Sequence, residues 1–231
     1  MNKIDMIFVL NLASLAERLG NISSFLSGHG ERFRVIQEEP PEEWVSKLPQ
    51  DKEEWDRKIS FIDYCEPVPR PHRSLSKEEL SIAWKQLRAL EIIVEEDMDR
   101  ALILEDDVLF RGNFFDLFED FSKENVDYDA LFIGSGCNLR IDSSFIISNK
   151  HLYLKSHPAA KCADSYVITN AAAKKILSTL HPLSLPWDIE LCYQMKKHDM
   201  KVYWMEPPIT AQGSQMRIGG EYSSAIQIHE I

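Results

Sequence analysis

The stretch RALILEDDVLF, Arg100–Phe110, decides the fold prediction because it runs a short apolar segment directly into three carboxylates. Residues 101–104 have the length and branching of a buried strand. Glu105, Asp106 and Asp107 at its end repel one another and are costly to remove from water. A cation, a donor-rich ligand or plain water must therefore compensate these three acids.

Length and composition indicate an ordinary globular protein. At 231 residues, 44% hydrophobic and 27% charged, it suits one large domain over residues 1–231. A net charge of −11 argues against a nucleic-acid binder that works through bulk electrostatics. No apolar run is long enough to span a membrane, and the N-terminus MNKIDMIFVLNL is typical of a first strand rather than a signal peptide.

The four cysteines are scattered and form no CxxC pair, so neither a zinc site nor a disulfide scaffold is indicated. Free thiols in a reducing compartment are the simplest interpretation. Together with the absence of a signal peptide, they predict a cytoplasmic location.

Apolar strands alternate with helical patterns along most of the chain, which predicts an α/β fold with helices on both faces of a sheet. The clearest helix begins at Ser76, where Ser76 and Glu79 form a capping box. Asn113 and Asn170 are predicted to cap two later helices, and Pro186 to open another. Residues 38–73 hold acidic clusters, tryptophans and many prolines, so we expect irregular loops and short helices there, as an insertion.

Ligands of open α/β sheets gather at the carboxyl ends of strands, where the three acids lie. In an extended backbone Glu105 and Asp107 face one side and Asp106 the other, so all three share one ligand only if the backbone bends. A hard cation such as Mn²⁺ or Mg²⁺ takes carboxylate oxygens and completes its coordination with water and ligand phosphates. Spacing alone leaves two interpretations open: a metal that holds a nucleotide diphosphate, or a hydrated and inert acidic cap.

Four blocks of the sequence, in order, resemble glycosyltransferase family 25. LSKEELSIAWKQLRALEIIVEEDMDRALILEDDV resembles its central signature, a capped helix that leads into an I-L-E-D-D-V strand. MIFVLNL resembles its opening strand, and KCADSYVITNAAAKKIL its tyrosine-containing strand and Ala-rich helix. LPWDIELCYQMKKHDMKVYWMEPPITAQGSQ resembles its P-x-D-x-x-L helix and closing segment. The four blocks cover most of the chain outside residues 38–73.

The resemblance implies a GT-A-type fold with a mixed, mostly parallel sheet flanked by helices. It also implies a nucleotide-sugar donor, often UDP-galactose, a divalent metal (Mn²⁺ or Mg²⁺), and inverting transfer to a glycan or a hydroxylated acceptor such as hydroxylysine. In such enzymes the last acid of the triplet usually ligates the metal. The resemblance therefore assigns metal ligation to Asp107 and donor contacts to Glu105 and Asp106, with Asn11 after the first strand as a further donor contact.

One departure from the family pattern falls in the helix before the signature. The family often shows E-I-G-C-x-x-S-H, and the matching text here is ELSIAWKQ, so Lys85 and Gln86 replace the Ser-His pair. Lys85 can meet a donor phosphate as a point charge, or it can be a solvated helix lysine.

An inverting transfer needs a carboxylate that takes the proton of the acceptor hydroxyl. Asp188 in PWDIEL lies in the first turn of a helix, where the macrodipole stabilises its anion, and it matches the family's P-x-D. It is therefore the predicted base, against the alternative of an acid that only favours its helix. Glu190 points about 200° away around the helix and cannot share its proton path. Asp164 is predicted to contact the sugar or the acceptor.

The tail after EPPIT is rich in Gly, Ser and Gln, which is typical of a loop that closes over a diphosphate. Gln212 and Ser214 lie where the family's tail approaches the site, so donor contacts are predicted for both. Arg217 can neutralise phosphate charge. His229 matches the C-terminal histidine that ligates the metal in some GT-A enzymes, against the alternative of an exposed terminal residue.

Two other functions fit the same fold. A nucleotidyltransferase that makes nucleotide sugars normally carries a Gly-rich, basic loop after the first strand, and NLASLAERLG lacks one. A catalytically silent module that binds a sugar or a partner is the second, and retention of the three acids and Asp188 argues against it.

Overall fold

The computed structural model describes residues 4–44, 52–65, 74–159, 161–181 and 183–214. The strands are β1 (Met6–Leu10), β2 (Phe33–Ile36), β3 (Arg100–Glu105), β4 (Val108–Phe110), β5 (Ala130–Phe132), β6 (Leu152–Leu154), β7 (Ser165–Thr169), β8 (Val202–Met205) and β9 (Thr210–Gln212). The helices are α1 (Ala16–Gly28), α2 (Lys52–Cys65), α3 (Lys77–Glu95), α4 (Phe114–Ser122), α5 (Asn170–Thr179) and α6 (Trp187–Lys197). None of these helices is both long enough and apolar enough to cross a membrane.

Seven strands form one sheet in the order β2-β1-β3-β7-β5-β8-β6. β1 is parallel to β2 and β3, and β5 is parallel to β8. β7 runs antiparallel to β3 and β5, and β6 antiparallel to β8, so five of the seven strands share one direction. This confirms the predicted GT-A-type class, a mixed and mostly parallel sheet flanked by helices.

Both faces of the sheet are buried, which explains why its central strands are apolar throughout. In β1, Phe8 packs into one apolar cluster and its neighbours Ile7 and Val9 into another. Leu102 and Ile103 of β3 divide between the two clusters in the same way. Strands covered on both faces leave their carboxyl ends as the place where polar groups can gather.

The capping box of α3 is confirmed. The Ser76 hydroxyl accepts the Glu79 N–H at 3.2 Å, and the Glu79 carboxylate accepts the Ser76 N–H at 2.7 Å. The predicted cap of α5 was wrong by one residue: Thr169 caps it, accepting the Ala172 N–H, and Asn170 instead donates to the Ile93 carbonyl. Asn113 precedes α4 as predicted, but its side chain makes no capping hydrogen bond.

The prediction of irregular loops and short helices between residues 38 and 73 missed α2, a helix of 14 residues. α2 buries Lys58 together with Phe61 and Ile62. The Lys58 ammonium lies 2.9 and 2.8 Å from the two carboxylate oxygens of Glu190 in α6, and 2.9 Å from the Ser184 hydroxyl. A buried ion pair therefore fastens this helix to the core.

Lys58→Met is expected to lower the free energy of unfolding by about 3–5 kcal/mol, because it leaves the Glu190 carboxylate buried without its cation. Lys58→Met combined with Glu190→Leu should cost clearly less, since both charges are then removed. Lys201→Met is the control, because its ion pair with Asp127 is exposed to solvent and should contribute little to stability. Urea denaturation measures all three, and equal losses in the single and double variants would contradict the interpretation.

A second, two-stranded sheet was not predicted. β4 pairs with β9 antiparallel, so that Val108 is opposite Gln212 and Phe110 opposite Thr210. This ladder carries the segment after β8 back to the end of β3. It thereby brings the predicted tail residues Gln212 and Ser214 to the three acids.

Candidate active site

The three acids form the turn between β3 and β4, at the carboxyl end of the parallel strands. The bend separates them as the strand alternation predicted. Asp106 turns toward the end of β1 and toward α1, whereas Glu105 turns toward the last residue of β9 and Asp107 toward the segment after β9. The two sides therefore have different partners.

Asp106 is held by two donors. Asn11 Nδ2 lies 2.7 Å from one of its oxygens, and an Arg18 guanidinium nitrogen lies 3.1 Å from the other. The Gln37 amide in turn donates to Asn11 Oδ1 at 2.6 Å. Burial raises the pKa of Asp106, and the bonds from Arg18 and Asn11 oppose that rise. The contacts with the nucleotide-sugar donor that were predicted for Asn11 and Asp106 stay predictions, since in this structure the two side chains bind each other.

Asp107 is oriented by the backbone of the tail. Ser214 N–H donates to Asp107 Oδ2 at 3.1 Å, and Gly213 N–H donates to the Asp107 carbonyl at 2.8 Å. Asp107 Oδ1 is buried and has no hydrogen-bond partner among the residues that the structure describes. One carboxylate oxygen of Asp107 is therefore held by the backbone, and the other has no protein partner in the described residues and could bind a ligand.

Two further acids lie beside this turn. Asp164 directly precedes β7, and its carbonyl accepts the Glu105 N–H at 2.8 Å. Asp188, in the first turn of α6 as predicted, accepts the Ala163 N–H at 3.2 Å through Oδ1. We call Glu105, Asp107, Asp164 and Asp188 the carboxylate cluster.

The carboxylates of the cluster repel one another. Burial raises the pKa of Glu105 well above its usual range, and the charges of Asp107, Asp188 and Asp164 raise it further. Burial likewise raises the pKa of Asp164 to about 8, where the Ser165 hydroxyl opposes the rise and Asp107 and Asp188 add to it. At neutral pH the cluster therefore favours bound protons or a bound cation.

Two glycines after β5 allow the chain to pass close to the cluster. A Cβ on Gly134 would lie 2.6 Å from the Ser165 hydroxyl and 2.8 Å from Asp164 Oδ2. A Cβ on Gly136 would lie 2.2 Å from the Lys161 carbonyl. Side chains at these two positions would push the Lys161–Ser165 segment away from the other acids.

The oxygen atoms of the site fit a divalent cation that is held partly by the protein and partly by the phosphates of a bound substrate. Three buried oxygens lack a hydrogen-bond partner within the described residues: Asp107 Oδ1, Asp164 Oδ1 and Gln212 Oε1. In the same part of the chain, no three His, Cys, Asp or Glu side chains lie close enough to hold a metal ion by themselves. Mg²⁺ and similar ions are commonly held by one or two carboxylates plus substrate phosphates, which matches this arrangement.

The remaining predicted residues divide into those near the cluster and those elsewhere. Gln212 Nε2 lies 3.4 Å from Glu105 Oε2. Lys85 is fully buried, and its ammonium binds Glu39 at 2.7 Å and Ser81 at 2.6 Å, so the solvated alternative was wrong. A phosphate would have to replace the Glu39 carboxylate to reach Lys85. Arg217 and His229 lie outside the described residues.

Sequence reasoning missed the role of Arg18. Arg18, Ile22 and Leu26 are the buried residues of α1 and follow one another at intervals of four. An arginine on the apolar stripe of a helix is a usable signal, because it needs a buried acceptor. Asp106 is that acceptor.

Asp164→Asn is expected to stabilise the protein increasingly as pH rises. The folded pKa of about 8 lies above the ordinary value of 3.8, so the folded state keeps a proton that the unfolded state has lost. Wild-type stability therefore falls from about pH 4 upward, and the loss is complete above about pH 8. The variant avoids that loss, which amounts to a few kcal/mol at about 1.36 kcal/mol per pKa unit. Urea denaturation across this range measures the difference, and a pH-independent difference would contradict the assignment.

Comparison with known proteins places the chain in a family. The model of glycosyltransferase family 25, described as an LPS biosynthesis protein family, matches residues 4–191. No curated protein matches the chain in sequence.

The solved structures that resemble the chain include the following three. A glycosyltransferase involved in the glycosylation of the major capsid of PBCV-1 is 12% identical, with 94% of this chain and 95% of that chain covered and a TM-score of 0.45. The inositol-1-phosphate CTP transferase from T. maritima is 11% identical, with 90% and 89% covered and a TM-score of 0.49. A197 from STIV is 15% identical, with 86% and 80% covered and a TM-score of 0.41. All three TM-scores lie below 0.5.

Proposed function

Since the chain belongs to glycosyltransferase family 25, we propose that it transfers a sugar, galactose from UDP-galactose, to a glycan acceptor by a metal-dependent inverting reaction. A hydroxylated acceptor such as hydroxylysine is the second form of the same chemistry. The single observation that carries the proposal is the carboxylate cluster, in which the pKa values of Glu105 and Asp164 are raised and one oxygen each of Asp107 and Asp164 is buried without a hydrogen-bond partner in the described part of the chain.

The donor side of the site is assigned to the acids at the end of β3. Asp107 is the proposed ligand of Mn²⁺ or Mg²⁺, because its Oδ1 is buried and open while Oδ2 is fixed by Ser214 N–H. When bound, the cation supplies positive charge that offsets both the cluster and the diphosphate leaving group. Glu105 and Gln212 are proposed donor contacts on the same side of the turn. Asp106, paired with Arg18, stiffens the turn from the opposite side.

The acceptor side is assigned to Asp188. The Ala163 N–H donates to its Oδ1 and so helps to fix the orientation of the carboxylate. The acceptor hydroxyl gives its proton to this carboxylate as the hydroxyl oxygen attacks the anomeric carbon and the diphosphate leaves from the opposite face. No covalent intermediate is needed. Asp164 is the proposed contact for the sugar or the acceptor.

A panel of UDP-sugars tests the proposal. With Mn²⁺ present, the protein should hydrolyse UDP-galactose slowly without acceptor, and chelation of the metal should stop the reaction. Faster turnover of another UDP-sugar would identify that sugar nucleotide as the donor, and the proposed type of reaction would still hold. Absence of metal-dependent hydrolysis and of transfer with every sugar in the panel would favour the silent binding module.

A further inference from the structure

An exposed apolar patch lies away from the carboxylate cluster. It consists of Phe145, Ile146, Ile147 and Leu154, whose side chains are 69%, 45%, 59% and 60% exposed. Among the residues that the structure describes, Val35, at 38%, is the only other large hydrophobic side chain that is exposed. Such residues normally occur singly on a surface, and a contiguous group marks an interaction site.

We propose that this apolar patch attaches the protein to the surface of a lipid bilayer with anionic headgroups. The proposal goes beyond the transfer reaction and does not depend on it.

The patch is held in shape by polar contacts behind it. Asp142 accepts the Ser144 N–H at 2.8 Å and so starts the turn that displays Phe145. The Tyr153 hydroxyl accepts the Ile147 N–H at 2.8 Å and lies 3.1 Å from the Lys150 carbonyl. The backbone is therefore satisfied from inside the protein, while three successive apolar side chains point outward.

The charge around the patch favours an anionic surface. Residues 139–159 contain three basic residues, Arg140, Lys150 and Lys155, and one acid, Asp142, in a chain whose net charge is −11. The Asp142 carboxylate is engaged in its turn. Apolar side chains in a segment with an excess of Lys and Arg are the usual composition of an interfacial attachment site, where apolar burial and attraction to anionic lipids act together.

The charge also argues against a second copy of this chain as the occupant. In a two-fold symmetric dimer the same patch meets itself, because such interfaces are isologous. The basic residues of the two copies would then face one another. Anionic headgroups complement those residues instead.

A cavity of about 710 Å³ opens beside the patch. Its lining includes Phe145, Ile146 and Leu154 on the apolar side and Arg140 and Glu206 on the polar side. An apolar wall next to an arginine suits the boundary between acyl chains and phosphate headgroups.

The patch is connected to the end of the sheet that carries the cluster. Glu206, directly after β8, accepts the Ile141 N–H at 3.3 Å and binds the buried Lys161 ammonium at 2.5 Å. Lys161 precedes Asp164 by three residues. If the proposed function holds, attachment here keeps the cluster near acceptors carried by the same bilayer.

Vesicle flotation tests the inference without any sugar donor. The wild-type protein should float with vesicles of phosphatidylglycerol and phosphatidylethanolamine, and much less with phosphatidylcholine alone or at high salt. Phe145→Ser with Ile147→Ser should weaken binding by at least about tenfold, and Lys150→Glu by several-fold. Val35→Ser, at the exposed apolar residue outside the patch, is the matched control and should bind like the wild type.

The inference would be overturned if the wild type did not float with anionic vesicles, or if the double variant floated as well as the wild type. It would also be overturned if light scattering showed a wild-type dimer that does not bind vesicles and that the double variant converts to a monomer. Circular dichroism of each variant checks that it is folded. Hydrolysis of UDP-sugars in solution is read separately, so failure of the bilayer attachment and failure of the transfer reaction are distinguishable.

Discussion

Asp107→Asn is expected to abolish metal-dependent donor binding, with a fall in turnover of at least about 10²–10³-fold. The amide keeps an oxygen that can accept the Ser214 N–H, so the tail stays in place. It is a neutral and weak ligand at the position whose Oδ1 is buried and open in the wild type. The stability of the protein without ligand should not fall, because one negative charge leaves a crowded cluster. Calorimetric titration with UDP and Mn²⁺ measures binding, and initial rates measure turnover.

The control for this substitution is Asp116→Asn, which removes a charge from the exposed face of α4. It should leave donor binding and turnover unchanged. Normal UDP-sugar turnover in Asp107→Asn would show that Asp107 is not the metal ligand, and the next candidates would then be Glu105 and Asp164.

Asp188→Asn is expected to lower kcat by about 10²–10⁴-fold, the usual contribution of a general base, with little change in donor affinity. The amide retains an oxygen for the Ala163 N–H, so the residue keeps its place at the start of α6. It cannot take the acceptor proton at any pH near neutrality. Rates with acceptor measure kcat, and calorimetry with UDP and Mn²⁺ measures affinity.

Asp199→Asn is the matched control for Asp188→Asn. Asp199 follows the same helix, is exposed, and has φ of 47°, a conformation that asparagine accepts well. It should not change kcat. If Asp188→Asn instead weakened donor binding while kcat held, Asp188 would be a binding residue and the base would lie elsewhere.

The parts of the fold that local patterns specify were predictable. The apolar run at residues 101–104 became β3, and the Ser76–Glu79 capping box became the start of α3. Each of these depends on contacts within a few residues or on burial of a continuous apolar run. Such patterns are visible in one dimension.

The missed elements depend on partners far away in the chain. β9 has three residues, Thr210–Gln212, with no apolar period, and it exists because it pairs with β4 about a hundred residues earlier. α2 escaped prediction because Lys58 occupies a buried position that periodicity expects to be apolar. Its partner Glu190 lies 132 residues away.

The site likewise contains residues that local sequence patterns reveal and contacts that depend on residues far apart in the sequence. The end of a predicted strand located the three acids, and the P-x-D match located Asp188. The approach of Asp188 to the Ala163–Asp164 segment instead depends on how α6 packs against α3 and α5. The pairing of Arg18 with Asp106 joins residues 88 apart in the sequence. Long-range charge pairs of this kind leave a local trace only when a charged residue sits on an apolar stripe.

Thermal unfolding of the wild-type protein with Mn²⁺, with UDP and with both tests the central claim, that the carboxylate cluster binds a metal and a nucleotide diphosphate together. The diphosphate oxygens complete the coordination that the protein leaves open, so both ligands together should raise Tm by more than the sum of their separate effects. At free ligand near 100 times Kd the stabilisation should be about 2.7 kcal/mol. The shift should disappear in Asp107→Asn and persist in Asp116→Asn. No shift in the wild type with Mn²⁺ and any common nucleoside diphosphate would mean that the acids are a hydrated cap, and would contradict the account.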